Sequence, residues 1–137
     1  MKNYSKIIAE EWNPIVREAQ IKNGHNAPVE INDKPTLIHQ DTAKLMARLI
    51  YEETLELMTA IEECDIVEQY DACADITFLV CGLVAQLGGK DVFERVMDEV
   101  LRSNKSKLVG GKMRMRDDGK VLKPDTYEAP NLKSILF

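Results

Sequence analysis

Apolar residues recur every three or four positions over much of the chain, which is the spacing of one face of an α-helix. This pattern predicts a helix from Asp41 to Glu63 and another from Asp65 to the next pair of glycines. Beyond Ile76 the second helix is apolar on nearly all sides, which is typical of a helix at the centre of a bundle or at a subunit interface. We therefore expect a homo-oligomer, either a homodimer or a homotetramer.

The regions around this helix pair are predicted to be less regular. Residues 4–24 indicate two helices separated at Asn13, because Pro14 lacks an amide donor and suits a first helical turn. Residues 25–40 are rich in Pro, Asn and Asp, which indicates an irregular connection. A further helix should begin at Asp91 and run to about Leu108. Residues 112–123 then alternate around Asp118–Gly119, a type I′ turn signal that favours a small β-hairpin.

These elements predict an all-α fold: a bundle of four to five helices, followed by a small C-terminal β-hairpin and an extended tail. At 137 residues the chain has the length of one domain. We expect a single domain over residues 1–137, with its core at about 36–108 and the hairpin and tail at 110–137.

The amino-acid composition indicates which class of protein the chain belongs to. Hydrophobic residues make up 45% and aromatic residues only 6%, which favours a helical protein over a β-sandwich. The apolar run at 76–87 is too short to cross a bilayer and the polar start lacks a signal peptide, so we expect a cytoplasmic protein with no membrane partner. The net charge of −5 argues against binding nucleic acid. The three cysteines lack paired CxxC spacing and are expected to be buried.

Charge is distributed unevenly, and the acidic part lies on the predicted helix pair. From Glu52 to Asp75 there are nine carboxylates and no lysine or arginine. Glu53 lies in the middle of the apolar face of the first helix, with Glu56 one turn later, and Asp71 shares a face of the next helix with Asp75. Inward carboxylates are costly unless a positive charge compensates them, and Mg²⁺ prefers such oxygen ligands. The segment from 102 to 123 is instead basic, with eight Lys or Arg and two Asp. An acidic segment followed by a basic one is what a site for metal and polyphosphate would need.

Four segments together resemble a known superfamily. They read EETLEL from residue 52, DITFLV from 75, EVLRSNKSK from 99 and DGKVLKPDTYEAPNL from 118. In these the chain resembles the all-α nucleoside triphosphate pyrophosphohydrolases, which include MazG-like proteins, dimeric dUTPases and phosphoribosyl-ATP pyrophosphohydrolase. The chain departs from the family pattern at Ala72, where many members carry a glutamate. Asp71 or Glu68 would replace that ligand, and we favour Asp71.

The resemblance implies hydrolysis of a nucleoside triphosphate between the α and β phosphates, giving the monophosphate and pyrophosphate, with Mg²⁺ or in its place Mn²⁺. The metal ligands would be Glu53, Glu56, Asp71 and Asp75. The catalytic residues would be Glu52, which could orient or deprotonate the attacking water, and Glu53. The phosphate groups would be bound by Arg102, Asn104, Lys105 and Lys107. Two alternatives are open: a phosphoribosyl-ATP pyrophosphohydrolase, and a helical oligomer that binds metal or nucleotide without catalysis.

Overall fold

The computed structural model describes residues 2–88 and 91–137. It confirms the all-α class, and the chain divides into two compact units, Met1–Lys90 and Asp91–Phe137. The helices of the first unit are α1 (Tyr4–Ile7), a π-helical turn (Ile8–Trp12), α2 (Asn13–Lys22), α3 (Gln40–Glu62) and α4 (Ile66–Leu87). Those of the second unit are α5 (Val92–Lys105) and α6 (Lys133–Leu136).

Residues 4–22 form one continuous helical segment, where the sequence predicted a break at Asn13. The backbone N–H of Asn13 donates to the carbonyl of Ile8, five residues earlier, so the helix widens by one residue. Pro14 then occupies the first turn of α2. Because proline cannot donate to the preceding turn, a local widening lets the helix pass it without ending.

α3 and α4 form a helical hairpin, and α3 agrees with the predicted helix to within one residue at each end. The turn between them places Cys64 in the left-handed region, with φ 56°. The N–H of Cys64 donates to Ile61 O at 3.2 Å and that of Asp65 to Ala60 O at 2.9 Å. Asp65 also caps α4, since its carboxylate accepts from the N–H groups of Val67 and Glu68. The turn is therefore fixed by backbone and side-chain bonds on both sides.

The C-terminal half of α4 lies at the centre of the first unit. Cys81, Ala85 and Gln86 are buried there, and the ring of Phe78 packs edge-on against that of Trp12, with centroids 5.7 Å apart. By length and composition, α4 could cross a bilayer: its most apolar stretch has a mean hydropathy of 1.4 and is 28% buried. A core helix of a soluble protein passes the same test, and the absence of a membrane partner stays a prediction.

The irregular connection predicted before α3 runs against the end of α4. The side-chain amide of Asn32 donates to Gln86 O at 2.9 Å, and the N–H of Thr36 donates to Leu87 O at 2.7 Å. Gly88, with φ 84°, follows at a point where an added Cβ would lie 2.0 Å from the carbonyl oxygen of Lys34. Only glycine fits this approach, and the last carbonyls of α4 are satisfied by the connection.

In the second unit, α5 ends three residues before the predicted Leu108. The described residues contain no β-strand, so the small C-terminal hairpin does not form as a strand pair; one isolated antiparallel bridge joins Met115 and Val121. The turn is also not type I′, because only Gly119 has a positive φ, 83°. Asp118 instead accepts from the guanidinium of Arg116 and from the N–H of Lys120, and these bonds hold it at negative φ.

Candidate active site on the helical hairpin

The candidate site lies where the acidic faces of α3 and α4 meet. Glu53 is half-buried on the apolar side of α3, between Leu49 and Leu57, which are half-buried as well. The other acids of the predicted site are exposed at its rim: Glu52, Glu56, Asp71 and Asp75. Helical periodicity on each helix and the tight turn at Cys64 together place these side chains on neighbouring surfaces.

Glu53 is the electrostatic centre of this acidic group. Its pKa is raised above the ordinary value of 4.5, first by partial burial and then by the negative charges of Glu56, Asp75, Asp71 and Glu52. Burial and like charges both disfavour the ionised carboxylate. The two helices therefore bring the predicted metal ligands Glu53, Glu56, Asp71 and Asp75 into one electrostatic environment.

The four predicted metal ligands lack basic partners on the hairpin. In residues 2–88 and 91–137, no lysine or arginine forms an ion pair with the four predicted metal ligands. Glu52 differs, because the guanidinium of Arg48 lies 3.7 Å from its carboxylate, with both side chains more than half exposed. No group of three or more His, Cys, Asp or Glu among the described residues is arranged to hold a metal ion.

The donor chemistry of the group fits a hard divalent cation. Every charged side chain that raises the pKa of Glu53 is a carboxylate, and oxygen ligands are those that Mg²⁺ and Mn²⁺ prefer. A cation there would also offset the repulsion that raises the pKa of Glu53. The chemistry of these side chains thus suits such a cation, although among the described residues they do not converge as a three-ligand site.

The two acids that could replace the family glutamate at Ala72 lie in different surroundings. Asp71 acts electrostatically on Glu53, whereas Glu68 is not among the groups that do. Glu68 instead lines a shallow groove of about 290 Å³ beside the acidic group, together with Glu56 and Thr59. Ala72 itself is buried. This groove could not be predicted from the sequence, since its lining comes from both helices.

The residues predicted to bind phosphate belong to α5 and the turn after it, and several contact other groups of the second unit. The guanidinium of Arg102 donates to Glu99 at 2.8 and 2.9 Å and to Glu128 at 2.6 Å. Asn104 donates to Val100 O, and the ammonium of Lys107 donates to Asn104 Oδ1 at 2.6 Å. Lys105 is exposed and forms no ion pair with a described residue.

Glu99 and Arg102 stabilise each other's charge. The hydrogen bonds from Arg102 lower the pKa of Glu99 to about 2, aided by the N–H of Asn131, which donates to Glu99 at 2.7 Å. The same pair raises the pKa of Arg102. Arg102 is thus already paired with two carboxylates of its own unit. The pairing with Glu128, 26 residues away, could not be predicted from the sequence.

Comparison with known proteins gives the family. The family model for phosphoribosyl-ATP pyrophosphohydrolase matches residues 26–104, which is more than half of the chain. The chain belongs to the phosphoribosyl-ATP pyrophosphohydrolase family. This family lies within the MazG-like all-α nucleoside triphosphate pyrophosphohydrolase superfamily, so the resemblance predicted from the acidic motifs is confirmed. No curated protein matches the chain.

Membership of the phosphoribosyl-ATP pyrophosphohydrolase family makes the protein a hydrolase that acts on acid anhydrides. It supports pyrophosphohydrolase activity on a nucleotide-like substrate. The matched range includes all of α3 and α4, and therefore every acid of the candidate site. It ends at Asn104, before Lys105 and the tail.

Proposed function

We propose that this member of the phosphoribosyl-ATP pyrophosphohydrolase family hydrolyses a nucleoside triphosphate between the α and β phosphates, releasing pyrophosphate, in a Mg²⁺-dependent reaction. The observation that carries the proposal is the set of four carboxylates that act together on Glu53 from two helices. A triphosphate brings negative charge of its own, so a surface of this kind can bind it only through cations.

Glu53, Glu56, Asp71 and Asp75 are the residues that would hold Mg²⁺ or Mn²⁺. When bound, such ions offset phosphate charge and lower the pKa of a water ligand. Glu53 is the central ligand, because its half-buried position and four acidic neighbours make its charge the most costly without a cation.

Glu52 is proposed to orient the attacking water or to accept its proton. Its carboxylate is at the rim of α3 and meets only the exposed guanidinium of Arg48, at 3.7 Å. Exposed pairs of this kind are weak. Glu52 can therefore exchange Arg48 for a water molecule, as a general base must.

Phosphoribosyl-ATP is the second candidate substrate, and the family match favours it. It would be cleaved at the same anhydride bond, so the acidic site would serve both reactions. The difference would lie in the residues that contact the base and the second ribose.

We also propose that the protein works as a homo-oligomer. On α3, the side chains of Tyr51, Met58 and Ile61 are exposed by more than half, at intervals of seven and three residues. At the start of α4, Val67 and Tyr70 are 70% and 75% exposed. Heptad-like apolar stripes on two adjacent helices are typical of a surface that a second helical hairpin covers.

Pyrophosphate release from a panel of ribo- and deoxyribonucleoside triphosphates and phosphoribosyl-ATP tests the activity. We expect release that requires Mg²⁺, is lost with a chelator and returns with Mg²⁺ or Mn²⁺. Preference for one class in the panel separates the two substrates. Failure to cleave any member would reject both, and would favour a helical oligomer that binds without catalysis.

A further inference from the structure

The segment around Tyr127 is fixed on the end of α5 by its own backbone. The hydroxyl of Ser103, which is only 3% exposed, donates to Glu128 O at 2.8 Å. The N–H of Glu128 donates to the hydroxyl of Ser106 at 2.9 Å. On the other side, the N–H of Tyr127 closes a turn by donating to Pro124 O at 2.9 Å. The backbone at Tyr127 is therefore held from both directions.

Two lysines lie over this ring. The ammonium of Lys123 is 4.7 Å from the ring centroid of Tyr127, and that of Lys107 is 5.8 Å from the same point. Each contact is a favourable cation–π interaction, so both ammonium groups lie within 5.8 Å of one ring centroid. The charges repel each other, so an anion that touches both would be bound more tightly than by either alone.

The nearby carboxylates do not neutralise these lysines. Neither Lys107 nor Lys123 forms an ion pair with any described Asp or Glu. The acid closest to Tyr127 along the chain is Glu128, and Arg102 binds its carboxylate at 2.6 Å. Arg102 is thus paired with carboxylates, whereas the ammonium of Lys107 donates to the neutral amide oxygen of Asn104 at 2.6 Å. No described carboxylate balances the charge of either lysine.

We propose that Lys107 and Lys123, positioned by Tyr127, form a binding site for a polyphosphate group. Lys123 lies outside the set of phosphate-binding residues that the sequence predicted. Arg102 becomes a positioning residue, which holds Glu128 and the tail instead of contacting phosphate. This anion site does not rest on the proposed function.

Calorimetric titration of the full-length protein with inorganic triphosphate, in a metal-free buffer of low ionic strength, tests the site. We expect Lys107→Met and Lys123→Met each to weaken binding about tenfold, as loss of a hydrogen bond to a charged group does. Lys133→Met removes the same charge from the exposed start of α6 and should bind as the wild type does. Tyr127→Phe keeps an aromatic ring and should retain the affinity, while Tyr127→Leu should lower it. Thermal melts of each variant establish that it is folded.

The outcomes separate the anion site from the enzyme function. Wild-type affinity in Lys123→Met, with only a lower melting temperature, would mean that the lysines stabilise the tail and nothing more, and would overturn the proposal. Equal weakening by Lys133→Met would attribute binding to net charge and overturn it too. Absence of binding by the wild type would have the same consequence. The expected affinity pattern in a protein that cleaves no nucleotide would support the anion site while rejecting the proposed reaction.

Discussion

Glu53 on α3 and Asp75 on α4 act on each other electrostatically across the helical hairpin. Partial burial is the largest cause of the raised pKa of Glu53, and the charges of Glu56 and then Asp75 follow. The interaction with Asp75 matters most for function because it joins the two acidic faces. A cation bound between the helices would relieve it, and so would loss of either charge.

Glu53→Gln should abolish Mg²⁺-dependent hydrolysis, with a loss of about 100-fold or more. Without metal the same variant should melt at a higher temperature than the wild type at neutral pH. The folded-state pKa of Glu53 lies above its ordinary value of 4.5, so ionisation destabilises the fold as pH rises through that range. The difference in melting temperature should therefore disappear below about pH 4.5. Pyrophosphate release and melts in chelator measure the two effects.

Glu62→Gln is the matched control for this variant, because Glu62 is exposed on α3 on the side away from Glu53. It should keep wild-type activity and show no such pH-dependent gain. Full activity in Glu53→Gln would remove Glu53 from the site.

Asp71→Asn and Glu68→Gln should differ in effect. Asp71 contributes to the raised pKa of Glu53 and Glu68 does not, so we expect Asp71→Asn to reduce activity at least about tenfold. Glu68→Gln should change it little. Titration of activity with Mg²⁺ should also give a higher half-saturating concentration for Asp71→Asn. If Glu68→Gln reduced activity more than Asp71→Asn, Glu68 would be the residue that replaces the family glutamate at Ala72.

Glu99→Gln should loosen the tail. The pKa of Glu99 is lowered to about 2 from 4.5, so the ionised form stabilises the fold. That stabilisation is complete above pH 4.5 and is lost as pH falls through about 2. The variant should melt below the wild type at pH 7, and the gap should narrow between these two values.

Limited proteolysis offers a second measurement for Glu99→Gln. If the tail is loosened, a protease should cleave it faster at positions beyond Asn131. Asp98→Asn, at an exposed neighbour on α5 that has no ion pair among the described residues, serves as control. A constant gap between variant and wild type from pH 7 to 2 would contradict the role given to Glu99.

Cys64→Gly should stabilise the protein by about 1 kcal/mol, because Cys64 is held at φ 56° and glycine adopts this conformation without strain. Thermal melts provide the measurement. Cys73→Gly removes the same side chain at an exposed position within α4, where glycine is unfavourable, and should lower the melting temperature. Equal shifts in both variants would argue against strain at the turn.

Met58→Glu should reduce the oligomeric mass, because it places a charge in the exposed apolar stripe of α3. Light scattering during size-exclusion chromatography gives the mass. Lys133→Gln, on α6, changes the net charge by the same amount as Met58→Glu and should leave the oligomeric mass unaltered. If the wild-type protein is monomeric, the proposed oligomer is ruled out.

Much of the hairpin and its acids could be predicted from the sequence. The 3.6-residue period located α3 and placed Glu53 on its apolar face, because helix geometry is local. The left-handed conformation of Cys64 after the end of α3 was not predicted, since glycine or asparagine is the usual residue at that position. The cysteines were expected to be buried, but Cys64 and Cys73 are exposed. They lie at the turn and on the outer face of α4.

Contacts distant in sequence account for the other differences. The pairing of Arg102 with Glu128 depends on how the tail folds back, and residue spacing carries no such information. The π-helical turn at Ile8–Trp12 likewise leaves no periodic signal, because the four residues of α1 before it are too few to define a helical phase.

The tight turn at Cys64 has a consequence for how the acidic site arises during folding. Glu53 and Asp75 are only 22 residues apart in the chain, so bringing them together closes a short loop. Contacts of such low sequence separation form on fast timescales. The acids are thus brought close together as soon as the helical hairpin forms. A cation bound at that moment would assist folding as well as catalysis.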